Sequence, residues 1–485
     1  MAKSRLHRDL ILVIDQGGHA SRTQIVDQSG DIHGYGEVAI SASHNADGHI
    51  EYNPESMLAS LLGAIKKATG QVDKRRILAA ALATQRSNVI CWHRETGQAL
   101  SPIISWQDRR AHEWLAKKQD QATFVHNRTG LFMSAHYGAS KLHWCITHIN
   151  AVRQASLNNT LTWGPMASWL TSKLCRERPC VCDPVNASRT LLWSLQQQDW
   201  SPELLQLFEL PDYGLPDCCA NHYHFGNLDI EGHDIPLQLV TGDQAAALYA
   251  FGHPQTDNAY ITAGTGGFVL NPCGQQAIID EQLLSSIVLL DQNGPHFVHE
   301  GTVNGAGSAL DYYAIQFGQS DYIHKFNSLL THPGNPPLFL NGFSGLGTPF
   351  MRAQFQSRFI GEGDEINSLL AVIESIVFLL QANLERMQQL NPSLQRIIIG
   401  GGLARFDGFC QRLADMGMPV IRPAQTETTS QGLAFLLFHS LGKKPDLNNR
   451  LLACNSYTFT PQNNPALTRR YQQWRCAMKD ALQHE

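Results

Sequence analysis

Two distant stretches of the sequence share one plan: an apolar run, a glycine-rich turn and a second strand-like run. The first is LILVIDQGGHASRTQIVDQSG, which begins at Leu10, and the second is DNAYITAGTGGFVLNPCGQQ, which begins at Asp257. Each pattern is typical of two strands joined by a tight turn. A repeated opening hairpin predicts two halves of similar architecture, and the tips of both hairpins are expected to face a common cleft.

The segments between and after these hairpins alternate between helix and strand patterns. The apolar spacing of PESMLASLLGAIKKAT predicts a helix over 54–69, and ILAAALAT predicts a buried strand over 77–84. The run over 367–390 predicts a long buried helix, which the strand-like QRIIIGGG follows. At 485 residues the chain exceeds the size that one core usually serves. We therefore predict an α/β fold of two domains, residues 1–250 and 251–485.

The composition narrows the class of partner. Hydrophobic residues make up 43% of the chain and charged residues 16%, which indicates an ordered globular protein. The net charge of −5 comes without a lysine or arginine stripe, which argues against nucleic acid and anionic membranes as partners. The apolar runs are too short or wrongly flanked for a signal peptide or a membrane span, and the eleven cysteines include no CxxC pair. The sequence therefore predicts a cytoplasmic protein with reduced cysteines and a small, neutral or mildly anionic ligand.

Three glycine turns follow apolar strands and are candidates for binding phosphate. In DQGG, Asp15 could support Mg²⁺ and the backbone of Gly17 and Gly18 could approach phosphate oxygens, with Arg22 as a nearby cation. The GTGG turn at Gly264–Gly267 and the GGG turn at Gly400–Gly402 have similar form. The alternative for each is a tight turn that needs positive φ. Three such turns spread over both halves favour a nucleotide held between the domains.

Two further sites carry polar side chains at strand ends. Asp243, in LVTGDQAAALYAF, is either the N-cap of a helix or a general base beside the cleft. Gln85 and Arg86 end the ILAAALAT strand, where they could bind neighbouring hydroxyls of a polyol. Trp106 could offer an apolar face to the carbon chain of a sugar, although a tryptophan is more often part of the core.

Taken in order, these motifs resemble the FGGY family of carbohydrate kinases, over nearly the whole chain, and they are most similar to those of its glycerol kinases. The segments that carry the resemblance are DQGGHASR, TQRSN, WQDRR, VNASRT, GDQ, GTG, FSGLGTPF, GGGLARFDGFCQ and the TETT of Thr426–Thr429. The resemblance implies two domains of the actin, Hsp70 and hexokinase type, with a ribonuclease H-like core. It also implies ATP and Mg²⁺ in the cleft, a sugar or polyol mostly on the first domain, and leaves a homodimer open.

The resemblance also implies a role for each matching residue. Asp243 would take the proton from the attacking hydroxyl, and Asp15 and Asp243 would support Mg²⁺. The implied substrate-binding residues are Gln85, Arg86, Trp106, His136 and Gln244. The implied nucleotide-binding residues are Asp15, Gly17, Gly18, His19, Ser21, Arg22, Gly264, Thr265, Gly266, Gly401 and Gly402.

The sequence departs from the family pattern at three places. Ser87 stands where the family's NQRET has glutamate, and His136 stands where it has tyrosine, although Tyr137 allows a shifted fit. A pocket altered in this way could admit a larger acceptor, such as a four- or five-carbon polyol or ketose, so glycerol is one candidate among several. Gly18 and His19 replace two threonines of the first phosphate loop. His19 either replaces a lost hydrogen bond to phosphate or is an exposed residue of a loop that has drifted.

The leading hypothesis is an ATP-dependent kinase of a small polyol or ketose. The altered His19 supports a rival, a sugar-binding or regulatory protein that has the kinase fold but little turnover. A chaperone-like ATPase of the wider fold is disfavoured by the residues of the sugar site.

Overall fold

The computed structural model describes residues 8–45, 47–330, 335–424, 427–443 and 456–484. The strands in these ranges, numbered in chain order, are β1 Leu10–Gln16, β2 Ala20–Asp27, β3 Ile32–Ala39, β4 Ser43–His44, β5 Ile50–Tyr52, β6 Ile77–Thr84, β7 Val89–His93, β8 Ile103–Ile104, β9 Leu161–Pro165, β10 Val181–Cys182, β11 Trp193–Ser194, β12 Asp199–Trp200, β13 Asp217–Cys218, β14 His222–Ile230, β15 His233–Gly242, β16 Asn258–Ala263, β17 Gly267–Gly274, β18 Leu284–Asp291, β19 Gly294–Val303, β20 Leu338–Leu340, β21 Arg358–Ile360, β22 Arg396–Gly400, β23 Val420–Pro423 and β24 Ser456–Phe459. The helices are α1 Pro54–Thr69, α2 His112–Ala116, α3 Ala122–Thr129, α4 Gly138–His148, α5 Asn150–Leu157, α6 Met166–Leu174, α7 Pro184–Ala187, α8 Pro202–Leu207, α9 Asp243–Leu248, α10 Gly307–Gln316, α11 Tyr322–Leu330, α12 Glu365–Leu390, α13 Asp407–Ala414, α14 Thr428–Ser440 and α15 Pro465–His484.

The two large sheets repeat one topology. The first has the strand order β14-β15-β6-β1-β2-β3 and the second has the order β18-β19-β17-β16-β22-β23-β24. In each sheet the first strand pairs antiparallel with its hairpin partner and parallel with the strand on its other side, β6 beside β1 and β22 beside β16. Each sheet has a further parallel strand: β15 pairs with β6 in the first sheet, and β23 pairs with β22 in the second. The two-domain α/β fold and the repeat expected from the sequence are both confirmed.

Several elements coincide with their sequence patterns. Helix α1 covers the expected residues 54–69, and strand β6 covers the expected residues 77–84. Helix α12 begins two residues before the pattern and is buried along most of its length. By length and composition it is the one described helix that could cross a membrane, and here it forms the centre of the second core. Its Glu374 is buried and forms ion pairs with Arg412 and Arg470, which explains a charge inside an apolar helix.

The two halves meet through helices α9 and α14, which pack closely against each other. A side chain at Gly432 of α14 would place its Cβ 1.7 Å from the carbonyl oxygen of Ala246 in α9. Glycine at this position therefore allows the two helix backbones to touch. A mixed core of residues from both halves continues from this contact.

Candidate active site

Three parallel strands of the first sheet deliver the first group of candidate residues. Gln16 of β1 lies opposite Thr84 of β6, and Thr84 lies opposite Gly242 of β15. The residues that follow these strand ends are therefore neighbours at one edge of the sheet. This edge is where α/β proteins commonly bind ligands. It collects the DQGG turn, the Gln85 and Arg86 pair, and Asp243.

Asp15 and Asp243 form a pair of interacting carboxylates at this edge. Burial, and then the nearby Asp243, raise the pKa of Asp15 to about 7 against the lowering effect of Arg22. Burial also raises the pKa of Asp243, against the lowering effect of Arg86. Glu427, from the second half, also raises the pKa of Asp15, so the DQGG turn faces the other domain.

One of the two interpretations of Asp243, the N-cap of a helix, is wrong. The cap residue of α9 is Gly242, and Asp243 is the first helical residue. Its Oδ1 accepts a hydrogen bond of 2.7 Å from the backbone N–H of Gln244. Since Asp243 is not the N-cap, its partly exposed side chain is available for the second interpretation, a general base beside the cleft.

The glycines of DQGG are explained by space and not by positive φ. Neither Gly17 nor Gly18 has a left-handed φ, so the alternative of a turn that needs one is wrong. A Cβ on Gly18 would lie 2.6 Å from the side-chain Nε2 of Gln85. With the amide of Gln85 oriented so that its oxygen accepts, it receives hydrogen bonds of 3.3 Å from the backbone N–H of Gly18 and from the indole N–H of Trp106. Gln85 thus links the first glycine turn to the sugar side of the site.

The second strand of the first hairpin sorts its side chains onto two faces. Arg22 lies opposite Asp15 and forms an ion pair of 3.4 Å with Glu37. Ser21 lies on the other face, fully buried, where its hydroxyl donates to Gln16 over 2.8 Å. The structure therefore does not bring Ser21 to the phosphate turn, because adjacent residues of a strand point to opposite faces. His19 at the turn is exposed.

The GTGG and GGG turns are neighbours at the matching edge of the second sheet. Carbonyl oxygens of Gly264 and Thr265 accept hydrogen bonds from the backbone at the start of α10, which holds the turn while the Thr265 side chain stays exposed. Gly401 has φ of 93°, and a Cβ there would lie 2.5 Å from the carbonyl oxygen of Ala263. Gly401 also lines a cavity of about 450 Å³ together with Gln244. Gly266 and Gly402 belong to the same two turns, whereas Thr426 of the TETT motif lies outside the described residues.

The candidate substrate residues form one wall beside Asp243. Arg86 donates a hydrogen bond to the side-chain oxygen of Gln244. The ring of His136 lies edge-on to Trp106, with 5.4 Å between the ring centroids. Tyr137 is buried in the core and its ring is not the one against Trp106, so the geometry favours the unshifted fit of His136. Burial and nearby cations hold the pKa of His136 well below its ordinary value.

Three charged residues in this wall were not singled out from the sequence. Arg189 pairs with Glu300 of β19, and Lys141 donates to the carbonyl oxygens of Ser105 and His136 over 2.8 and 2.6 Å. All three are buried. In the sequence, Glu300 is the one acidic residue of the strand-like segment HFVHEGTV, and Arg189 lies inside the VNASRT motif. These two features could have pointed to both residues.

The carboxylates fit a magnesium ion held jointly with a nucleotide. Among the described residues, no group of three or more His, Cys, Asp or Glu side chains could hold a metal ion by itself. Asp15 and Asp243 are two interacting carboxylates, and Mg²⁺ is commonly bound by one or two carboxylates together with phosphates and waters.

The ten described cysteines are all free thiols, as expected.

The fold and site together define a two-domain protein of the actin-like class, whose interdomain cleft is lined by glycine turns and two carboxylates. Residues 10–249 match the N-terminal domain of the FGGY family of carbohydrate kinases, and residues 259–441 match its C-terminal domain. The chain therefore belongs to the FGGY family of carbohydrate kinases. It is a phosphotransferase with an alcohol group as acceptor, and ATP binding follows from the family.

Individual relatives agree with this assignment. The glycerol kinase of Halothermothrix orenii is 29% identical over 450 residues, covering 89% of each chain, and that of Dechloromonas aromatica is 30% identical over 447 residues, also covering 89% of each chain. Among solved structures, Plasmodium falciparum glycerol kinase with ADP has a TM-score of 0.88 at 22% identity, with 98% of this chain and 99% of that chain covered. Ligand-bound xylulose kinase from Lactobacillus acidophilus has a TM-score of 0.85 at 19% identity, with 98% of both chains covered. These structures share the fold of this protein.

Proposed function

We propose that the protein transfers the γ-phosphoryl group of ATP to a hydroxyl of a small polyol or ketose, with Asp243 as the general base. The observation that carries this proposal is the strand-end edge where Asp243 lies beside Asp15 and the Arg86–Gln244 hydrogen bond. The relatives named glycerol kinase and xylulose kinase support acceptors of three to five carbons.

In the proposed reaction, Arg86 and Gln244 hold the acceptor hydroxyl and Asp243 accepts its proton. The acceptor oxygen forms a bond to the γ-phosphorus, the bond to the β,γ-bridging oxygen breaks, and ADP leaves. A raised pKa makes the Asp243 carboxylate a better proton acceptor than an ordinary aspartate. Phosphoryl transfer depends mainly on positioning and charge neutralisation, which is the chemistry that this small set of groups supplies.

The remaining assignments concern the nucleotide. Arg22, His19 and Thr265 are assigned to the phosphates, Gly17 and Gly18 to close backbone approach, and the turns at 264–266 and 401–402 to the nucleotide on the second domain. Asp15 and Asp243 would hold Mg²⁺, which neutralises phosphate charge when bound. We assign the acceptor site and first phosphate turn to residues 1–250, the ATP-binding part to residues 251–485, and the protein to the cytoplasm.

An acceptor screen tests the proposal. ADP release is measured with Mg²⁺ and ATP over glycerol, dihydroxyacetone, erythritol, ribitol, ribulose and xylulose. We expect release that requires both Mg²⁺ and an acceptor and that is lost in Asp243→Asn. ADP release that no acceptor raises above the acceptor-free rate, with ATP binding intact, would contradict the proposal and favour a sugar-binding protein without turnover.

A further inference from the structure

Positive charge surrounds His136 in the proposed acceptor wall. Besides burial, four cations lower the pKa of this imidazole: Lys141, Arg109, Arg189 and Arg86. They come from four separate segments of the first domain, so the fold concentrates them around one place. Such a pocket favours a ligand that brings negative charge.

The acids of the wall balance part of this charge. Glu300 pairs with Arg189 and lies 3.7 Å from Arg86, so one carboxylate serves two guanidinium groups. Lys141 donates its hydrogen bonds to backbone carbonyl oxygens, and burial holds its pKa well below the ordinary value. Asp243 is already assigned the role of accepting the proton of the acceptor hydroxyl.

The remaining cation of these four is Arg109. The side chain of its neighbour Arg110 is fully buried and pairs with Glu51 and Asp108 over 2.7 and 2.8 Å. Arg109 is exposed, and its hydrogen bonds go to the carbonyl oxygens of Trp106 and Asp108, over 3.0 and 3.4 Å. Within the described ranges it forms no ion pair. The two adjacent arginines thus differ, since Arg110 is paired with two carboxylates and Arg109 keeps its charge available to a ligand.

Ser87 adds a buried hydroxyl to the same wall. It follows Arg86 directly, has a left-handed φ of 65°, and its carbonyl oxygen accepts a hydrogen bond of 3.4 Å from Lys141. Its buried hydroxyl has no hydrogen-bond partner among the described residues. A buried hydroxyl without a partner is costly, so this position gains from any polar group that reaches it.

We propose that the acceptor is a polyhydroxy acid: an open-chain polyol that ends in a carboxylate, with the carboxylate paired to the guanidinium of Arg109. At the other end of the molecule, a hydroxyl lies between Arg86, Gln244 and Asp243. This inference rests on the proposed kinase function and names the class of its acceptor. The planar fork of an arginine matches a carboxylate through two parallel hydrogen bonds, which a terminal CH₂OH group cannot form.

Matched acceptor pairs test this inference. Erythronate is compared with erythritol and ribonate with ribitol, so that each pair differs only in the terminal group. The measured quantity is the ratio of kcat/KM for the acid to kcat/KM for the alditol, from ADP release in wild type, Arg109→Gln, Arg109→Lys and the control Arg153→Gln. Arg153 is an exposed arginine of α5 that bonds the carbonyl oxygen of Thr147.

We expect the ratio to exceed one by about tenfold or more in wild type, as a charge-assisted hydrogen bond predicts. Arg109→Gln should lower it about tenfold or more, mainly through KM for the acid; Arg109→Lys should lie between, and Arg153→Gln should leave the ratio unchanged. A wild-type ratio of one or less, or a ratio that Arg109→Gln does not lower, would overturn the inference.

A binding measurement separates failure of this inference from failure of the kinase function. If no acceptor is phosphorylated, the proposed function fails, and the thermal shift of the protein with each acid and alditol decides the inference by itself. A rise in Tm with the acids that is larger than with the alditols, and that Arg109→Gln removes, supports it. Equal shifts, or none, overturn it.

Discussion

The guanidinium of Arg189 in the first domain pairs with the carboxylate of Glu300 in the second, and both side chains are buried. Arg189 also donates a hydrogen bond of 2.9 Å to the hydroxyl of Ser286, which in turn donates to Glu300 over 3.1 Å. Glu300 lies 3.7 Å from Arg86 as well. One carboxylate of the second domain therefore holds two arginines at the wall of the proposed acceptor site.

Glu300→Gln should destabilise the protein strongly, because it leaves two buried guanidinium groups without their counter-charge. Breaking a buried ion pair from one side typically costs about 3–5 kcal/mol in the free energy of unfolding, measurable by urea denaturation. The matched control is Glu385→Gln, which breaks a pair of 2.7 Å with the exposed Arg475 and should cost less than about 1 kcal/mol. Equal losses in the free energy of unfolding of the two variants would show that the interdomain ion pair stabilises the protein no more than the exposed pair does.

Asp243→Asn should abolish most turnover without harming the fold. Loss of a general base typically lowers kcat by about 10²–10⁴-fold, while the affinity for ATP should stay close to that of wild type. Since Gly242 is the N-cap of α9, removal of the Asp243 charge should not lower Tm. A variant with wild-type kcat would remove Asp243 from the mechanism, and a large loss of Tm would indicate a structural role instead.

Asp15→Asn should stabilise the metal-free protein increasingly as pH rises. The folded-state pKa of Asp15 is about 7 against an ordinary value of 3.8, so the folded state binds this proton more tightly than the unfolded state. The wild type therefore loses stability as pH rises from about 4 to 7, and the variant lacks this loss. We expect an advantage of about 2–4 kcal/mol at pH 7.5 in EDTA, from about 1.4 kcal/mol per pKa unit, and a much smaller one at pH 5.

The control for this pH dependence is Asp73→Asn. Hydrogen bonds from Arg75 lower the pKa of the exposed Asp73 to about 2, so its stabilisation is lost only as pH falls through the range from about 4 to 2. Its effect should be flat between pH 5 and 7.5. A flat profile for Asp15→Asn over the same range would contradict the raised pKa.

Gly432→Ala should destabilise the protein, opposite to the usual effect of alanine in a helix. The new Cβ would lie 1.7 Å from the carbonyl oxygen of Ala246 and would push α14 away from α9. Overpacking of this kind typically costs about 1–3 kcal/mol. Gly63→Ala in α1 is the control, because its Cβ would meet only a side-chain methyl group of Val38, at 3.3 Å, and alanine's helix propensity offsets up to about 1 kcal/mol, so its effect on stability should be much smaller. Thermal unfolding of both variants checks the sign, and a stabilised Gly432→Ala protein would contradict the close helix contact.

The local elements were predictable because their signals are local. The apolar period of 54–69 and the continuous apolar run of 77–84 reproduce α1 and β6 residue for residue. The repeated hairpin anticipated two sheets of one topology. The roles at Gly18 and Asp243 were not predictable in the same way, since a close approach by Gln85 and a cap shifted to Gly242 depend on neighbouring chain segments.

The sequence by itself determined the two domains, their central elements and the family, because periodicity, glycine turns and collinear motifs are properties of the linear chain. Only the tertiary structure decided which polar groups share a face. It turned Ser21 into the core beside Gln16 while Arg22 faces Asp15, and it paired Arg110 with two carboxylates while Arg109 has none in the described residues. Residues that are adjacent in the sequence therefore have different environments, because the side chains of a strand alternate between its two faces and because burial depends on the segments packed around them.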